Sequence, residues 1–412
     1  MSDRLDPIAA RGGPPLAAIG PGLLLGILTL GAFTTALNVT LLSPLLTRIA
    51  AEFGASEARA GQLATLTAAS SGVTALIAAP WMDRYSRGAW IRFECALLAL
   101  GSVLSAVAPG FGWLFAGRVV AGVGGAIIGA NCLAAVADLY RDPARRNRGL
   151  GLINTGFTLG AVVGLPVLTQ IADAAGWRWA IVAPAPLAVV VFAGSLALPR
   201  VASAPGGPLW SGWAAGYGRV FRQGETVWLL AAMVALMAVW FSWLIYFGAY
   251  AETVFGVGAG TLSLLFLAGG AAQVAANNLT PPLLRRRPPR VVASLAAAIV
   301  GVNLLLVGVA YTEGWTLFPF IAIGSAAGSV MFVSINILLL DSIPAARGAV
   351  MSLQSAGLEL GGAAGVAVTG LALAALNDYE AVYRLVGLFV PLIVACLIVS
   401  TRTTDGTETT SS

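Results

Sequence analysis

Apolar residues in this chain come in long, nearly unbroken runs rather than in alternating or one-faced patterns. Such runs lie near residues 20–42, 60–82, 89–109, 112–136, 149–171 and 179–198, and again near 227–249, 259–281, 291–310, 317–340, 348–370 and 382–400. Each is about 20 residues long, the length a helix needs to cross the ~30 Å hydrocarbon core of a bilayer. The pattern predicts an all-α membrane protein of twelve transmembrane helices in two six-helix bundles, 20–198 and 227–400. Between them, the Gly/Pro-rich stretch 199–226 reads as a cytoplasmic linker. Residues 1–19 read as a cytoplasmic N-terminal segment, and the Thr/Ser-rich residues 401–412 as a disordered tail. The first run is too long for the apolar core of a signal peptide and is expected to stay as a span.

Composition agrees with this pattern. Of 412 residues, 58% are hydrophobic and only 10% charged, and the mean hydropathy is +0.87. A soluble domain carries about 25% charged residues, so a soluble enzyme, a disordered chain and a nucleic-acid-binding domain are all excluded. The net charge of +5 has to be read by position. Placing both termini inside puts eighteen arginines in cytoplasmic segments, and only Arg48, Arg59, Arg178 and Arg384 outside, with Arg118 inside a span. Translocation disfavours arginine on the outer side, so the chain is expected to be N-in and C-in. Its basic loops face the cytoplasm and can touch anionic lipid headgroups.

Every one of the 23 basic residues is arginine, and histidine is absent. Without them there is no imidazole base, no zinc site of histidine type, no Schiff-base lysine and no P-loop. Cys95, Cys132 and Cys396 lie far apart in apolar runs and suggest neither a disulfide framework nor a CxxC pair. No enzyme, metal or cofactor is expected.

An internal repeat sharpens the architecture. Gly156, Gly160 and Gly164 in the fifth span recur 201 residues later as Gly357, Gly361 and Gly365 in the eleventh. Asp138 with Arg148-Gly149 is likewise echoed by Asp341 with Arg347-Gly348. Two halves with parallel pseudo-symmetry follow. Small residues four apart let helix backbones approach closely, which is how helices associate in lipid; the same glycines could also line seams that slide.

After the second span the chain reads Ala79-Pro80-Trp81-Met82-Asp83-Arg84-Tyr85-Ser86-Arg87-Gly88. This resembles the cytoplasmic-loop signature G-x3-D-[RK]-x-G-[RK]-[RK] of the major facilitator superfamily, with Asp83, Arg84 and Arg87 matching. The fourth span holds Arg118 followed by Gly122, Gly124 and Gly125, similar to the family's R-x3-G-x-G. The fifth carries Gly164-Leu165-Pro166-Val167-Leu168-Thr169, which looks like the variant antiporter signature G-x-P-x-G-T of sugar- and drug-efflux members, with Leu168 in place of a glycine. The resemblance implies a cytoplasmic gate of Asp83, Arg84, Arg87, Asp138, Asp341 and Arg347, in which Arg87 reaches Asp138. It implies a part for Arg118 in proton coupling, with snorkelling to the outer interface as the plainer alternative. Pro166 within a span either serves the antiporter motif or simply kinks the helix.

Two acids fall inside spans. Glu94 lies in the first turns of the third, beside Arg92, and reads as an interface ion pair. Glu359 lies twelve residues past Arg347, about 18 Å along the eleventh span and close to the midplane. A carboxyl there must be paired, hydrated or protonated, which makes it a candidate proton carrier; a structural hydrogen bond between the halves is the competing account. Asn38, Asn131, Asn336, Trp240, Trp243 and Tyr246 are candidates to line a substrate cavity, with Tyr250 either there or at the outer interface. The expectation is a monomeric exporter of a small organic molecule, driven by proton antiport, in a bacterial inner membrane. Proton-coupled uptake on the same fold and a non-transporting receptor or scaffold are the alternatives.

Overall fold

A computed structural model of the chain describes residues 20–82, 85–140, 142–198, 209–343 and 347–408. The first half runs through α1 (Pro21–Thr40), α2 (Leu46–Glu52), α3 (Glu57–Met82), α4 (Arg87–Ala106), α5 (Phe111–Gly125), α6 (Ile128–Leu139), α7 (Pro143–Val162), α8 (Gly164–Ala175), α9 (Trp177–Val182) and α10 (Pro184–Ser195). After α11 (Leu209–Arg222) come α12 (Gly224–Phe255), α13 (Ala259–Leu284), α14 (Pro289–Leu305), α15 (Leu317–Ser342), α16 (Arg347–Leu376) and α17 (Tyr379–Glu408). Ten helical segments among the described residues are long and apolar enough to cross a membrane. The 26-residue α3 and the 17-residue α14 occupy the places of the second and ninth predicted spans.

Several spans are broken, each for a local reason. Pro166 lacks the amide hydrogen that would bond Val162, and the helix splits at Val163 into α7 and α8. Pro184 begins α10 after a break at Ala183. The fourth span divides at Ala126–Ile127 into α5 and α6 without any proline. The unbroken α12 runs for 32 residues and ends on Gly256, whose φ of +63° is the left-handed conformation that closes a helix.

The repeated glycines occupy equivalent contacts in the two halves. A Cβ on Gly156 or Gly160 would stand 2.4 Å from the Thr29 carbonyl or 2.6 Å from that of Phe33, both on α1. One on Gly361 or Gly365 would meet the carbonyls of Val234 and Ala238 on α12, at 2.5 and 2.1 Å. Spans five and eleven therefore lie backbone-to-backbone against spans one and seven. Large apolar side chains such as Ile77, Trp113, Val189, Leu295, Leu371 and Leu388 stay exposed, as a lipid-facing belt requires.

Two expectations change. The linker contains helix α11, tied to the second half where Tyr217 Oη meets Ser352 Oγ at 2.8 Å, with Gln223 just beyond it donating to the Ser342 carbonyl at 3.0 Å. Part of the tail expected to be disordered continues α17 through Glu408. Extending an existing helix needs no new nucleus, which is why polar composition alone misjudged that segment.

Candidate functional site

The halves meet chiefly where α3 runs antiparallel to α16 and where α8 faces α13. Toward the outer surface this seam is bridged by hydrogen bonds. Ser43 Oγ donates to the Leu244 carbonyl at 2.6 Å, Thr253 Oγ1 to Glu57 at 2.9 Å, and Gln170 Nε2 to Ser263 Oγ at 2.9 Å. Thr47 donates to Glu252 and Tyr379 to Glu57. Tyr246 fills a slot between Gly61 of α3 and Gly370 of α16, its hydroxyl turned toward the carbonyls of Ala58 and Val366. An outer cleft of about 450 Å³ at this end is lined by Glu57, Asp378 and Glu380 among others.

Arg118 lies beneath that seal, wholly buried. It is not snorkelling: Nε donates to Thr67 Oγ1 at 3.1 Å and Nη2 to Asn38 Oδ1 at 2.9 Å, while Nη1 is buried with no partner among the described residues. Three glycines that follow make this placement sterically feasible. A Cβ on Gly122 would hit the Thr67 carbonyl of α3 at 2.3 Å, one on Gly124 the Leu98 amide nitrogen of α4 at 2.2 Å, and one on Gly125 the Asn38 side chain at 2.5 Å. The R-x3-G-x-G sequence thus lets one helix press against three neighbours at once, with its cation at the centre.

From the other half, Glu359 faces the same place. It lines a small cavity with Asn38, Thr67, Ala64, Ser71, Phe241 and Gly362, and its Cβ lies 3.1 Å from where Gly72 of α3 would carry one. The cavity, about 20 Å³, has room for roughly one water. No described cation pairs with Glu359, and no described carboxylate pairs with Arg118. A wholly buried cation on one half and a half-buried acid on the other share the neutral side chains Asn38 and Thr67, which bond the first and line the small cavity of the second.

Glu94 corrects the sequence-based expectation. It is 1% exposed, and Arg92 does not touch it; Arg92 Nη1 donates instead to the Ser195 carbonyl at 3.2 Å. Residues two apart on a helix point to opposite sides, so adjacency in sequence was the wrong guide. The Glu94 carboxyl accepts from Ile127 N–H at 2.9 Å and from Asn131 Nδ2 at 3.1 Å. The break in the fourth span leaves Ile127 N–H free of the helical ladder, and Glu94 takes it up. A carboxylate in an apolar run facing a Gly-Gly-Ala-Ile segment was the available signal.

Of the cavity candidates, Asn38 lines the seam and Asn131 is turned to Glu94. Trp243, 1% exposed, sits in an aromatic cluster with Phe247 and Phe320, the cluster on which Tyr250 and Tyr383 also pack. Trp240 packs edge-on to Trp243 and over Gly328, and Asn336 is half-buried with an unpartnered Oδ1. At the cytoplasmic end, Arg87 Nε reaches Asp138 Oδ2 at 3.4 Å, the contact that the loop resemblance implies. Asp341 is exposed on α15. Asp83, Arg84 and the side chain of Arg347 lie outside the described residues.

Two helical halves packed along a polar, charge-bearing seam are the architecture of a multi-pass membrane transporter. Residues 28–366 match the model of the Major Facilitator Superfamily, and the chain belongs to that family of multi-pass membrane transporters rather than to enzymes. It is 28% identical over 257 residues to the transcription regulatory protein OpdE of Pseudomonas aeruginosa, covering 60% of this chain and 61% of that one. Over 152 residues it is 26% identical to the uncharacterized MFS-type transporter YbcL of Bacillus subtilis, covering 37% and 39% of the two chains. Over 110 residues it is 32% identical to the puromycin resistance protein pur8 of Streptomyces alboniger, covering 26% and 22%. The chain thus aligns with less than two thirds of each relative's length. A crystal structure of a bacterial homologue of the human lysosomal transporter Spinster superposes with a TM-score of 0.72 at 18% identity, over 95% of this chain and 98% of that one.

Proposed function

We propose that this protein exports a small organic molecule in exchange for protons, with Glu359 as the proton carrier. The observation that carries this reading is the seam itself: an acid on one half, a guanidinium with no described carboxylate partner on the other, and Asn38 and Thr67 shared by the surroundings of both. Burying the Arg118 charge without an opposite partner costs several kcal/mol, a cost that a purely structural contact has no reason to bear. Rocking of the halves alters the distance between the two charges, so proton occupancy and conformation are linked. The acidic outer cleft concentrates protons at the entrance. Export is favoured over uptake by the Gly164–Thr169 resemblance to an antiporter signature and by the drug-resistance relative.

Ligands come first from a thermal-shift screen of chemically diverse compounds, read by mass action. A hit is then followed in inverted vesicles under an imposed pH gradient. Antiport predicts accumulation when the vesicle interior is acid, and symport predicts loss. Glu359→Gln is expected to abolish proton-driven transport while retaining substrate exchange; wild-type proton-driven rates in this variant would exclude the carrier role.

A second reading, a membrane receptor that keeps the fold without transport, takes its support from OpdE, whose name is that of a regulator. It predicts no substrate-dependent proton movement and no effect on signalling when Asp83 and Arg87 are replaced.

A further inference from the structure

Glu94 is a buried acid for which the carrier reading has no use. We propose that it is a second proton-binding carboxyl, placed in the first half at the break of the fourth span and connected to the seam through Ile127. In the charged form Oε1 accepts from Ile127 N–H and Oε2 from Asn131 Nδ2, and Asn131 Oδ1 is the buried atom left without a partner. In the protonated form the Ile127 bond persists. A half-turn of the Asn131 amide then lets Oε2–H donate to Oδ1, leaving Nδ2 unpaired instead. Each form strands one amide atom, so hydrogen-bond satisfaction does not select between them. The proton adds to Oε2 from water and returns to water, and no other bond changes.

Among the described residues no cation pairs with the carboxyl. On α4 the neighbouring titratable group is the buried thiol of Cys95, and on α6 that of Cys132. Arg92 is turned to the Ser195 carbonyl, and Arg118 on α5 is bonded to Thr67 and Asn38. α16 carries the acid Glu359, one turn from Ala356; the described charges of α3, Glu57 and Arg59, stand in its first turn, α9 carries Arg178 bonded to Glu52, and α10 has no charge. The connection runs through packing. Ile127 clusters with Ala75 and Ala78 of α3 and with Ala356 of α16, one turn from Glu359. A charge-assisted bond to Ile127 N–H is about twice as strong as a neutral one. Proton uptake at Glu94 therefore loosens the residue that fastens the broken span to the opposite half.

The test is infrared difference spectroscopy of the purified full-length protein in lipid, titrated with acid and base and read at the carboxyl C=O stretch. Glu94→Gln is expected to remove one pH-sensitive band, distinct from the band removed by Glu359→Gln; all other carboxyls cancel in the variant difference. A difference spectrum without that band overturns the proposal, because an acid that is always charged or always protonated has no titrating band to lose. If Glu94→Gln does not fold, Asn131→Ala retains the acid while removing its amide partner. The band's titration midpoint is then expected to shift, and an unmoved midpoint overturns the proposal equally. Because the two acids are read as separate bands, failure at Glu359 and failure at Glu94 are told apart.

Discussion

Replacing Gly61 with alanine would place a methyl group in the slot that holds Tyr246. The added Cβ would stand 2.0 Å from the tyrosine oxygen, 2.3 Å from Cζ and 2.5 Å from Cε1, where carbon atoms in contact sit at ~3.5–4.0 Å. The ring has to move by more than about 1 Å. It has little space to do so, since Gly370 closes the other side with its own Cβ position 2.5 Å from the same oxygen. Overpacking of this kind costs ~1–3 kcal/mol, and that cost falls only on the state in which the outer seam is shut. The ratio of outer-closed to outer-open molecules is expected to drop roughly 5- to 150-fold. Spin labels at Ala51 and Ala375, exposed on the outer ends of the two halves, report this as growth of a longer-distance population in pulsed paramagnetic resonance. Adding Tyr246→Leu, which removes the clashing atoms, should restore the short distance. An unchanged distribution in Gly61→Ala, or no recovery in the double variant, would refute Tyr246 as the element that closes the seam.

Asn38→Leu takes away the acceptor of Arg118 Nη2, and leaving a buried charged donor unpaired costs ~1–3 kcal/mol or more; scanning fluorimetry should show a clearly lower melting temperature, and an unmoved one contradicts the assignment. Gly365→Ala drives a Cβ to 2.1 Å from a backbone oxygen, whereas Gly357→Ala meets only a valine methyl at 3.1 Å. The first is therefore expected to destabilise the protein more than the second, and the reverse order in thermal unfolding would refute backbone contact as the cause. On the outer surface, the hydrogen bond from Arg178 holds the Glu52 carboxyl below the usual carboxylate range against the opposing effect of burial. With a lowered folded value, this pair stabilises above the ordinary carboxylate range, and its contribution disappears as pH falls through the lowered value. Both groups are more than a third exposed, so the effect stays under about 1 kcal/mol. The melting temperatures of wild type and Glu52→Gln should differ slightly at neutral pH and converge in acid; a difference persisting in acid would contradict the pairing.

The all-helical membrane fold was legible in the sequence, because lipid leaves a chain few options and each leaves a long apolar run. The glycine repeat was legible for the same reason, and the structure shows what it does: it puts carbonyls against Cα atoms in matching places. Sequence reading failed where a side chain's direction mattered. Arg92 and Glu94 are near neighbours along the chain yet point apart, and Trp243 and Tyr246, suited by chemistry to a cavity wall, are consumed by packing. The break at Ala126–Ile127 carries no proline to announce it, and its one mark in the sequence is the Gly124-Gly125 pair just before it. Thr67, an unremarked residue of an apolar run, turns out to hold Arg118.

The glycine contacts that weld span five to span one and span eleven to span seven make each half a stiff lever. Compliance is left to the surfaces between the levers, where tolerances are set by side chains as small as Gly61, Gly72 and Ala356. On the proposed rocking motion, substitutions meant to toughen the protein for handling belong inside either lever, away from these glycine contacts. A single added methyl group between the levers acts as a brake.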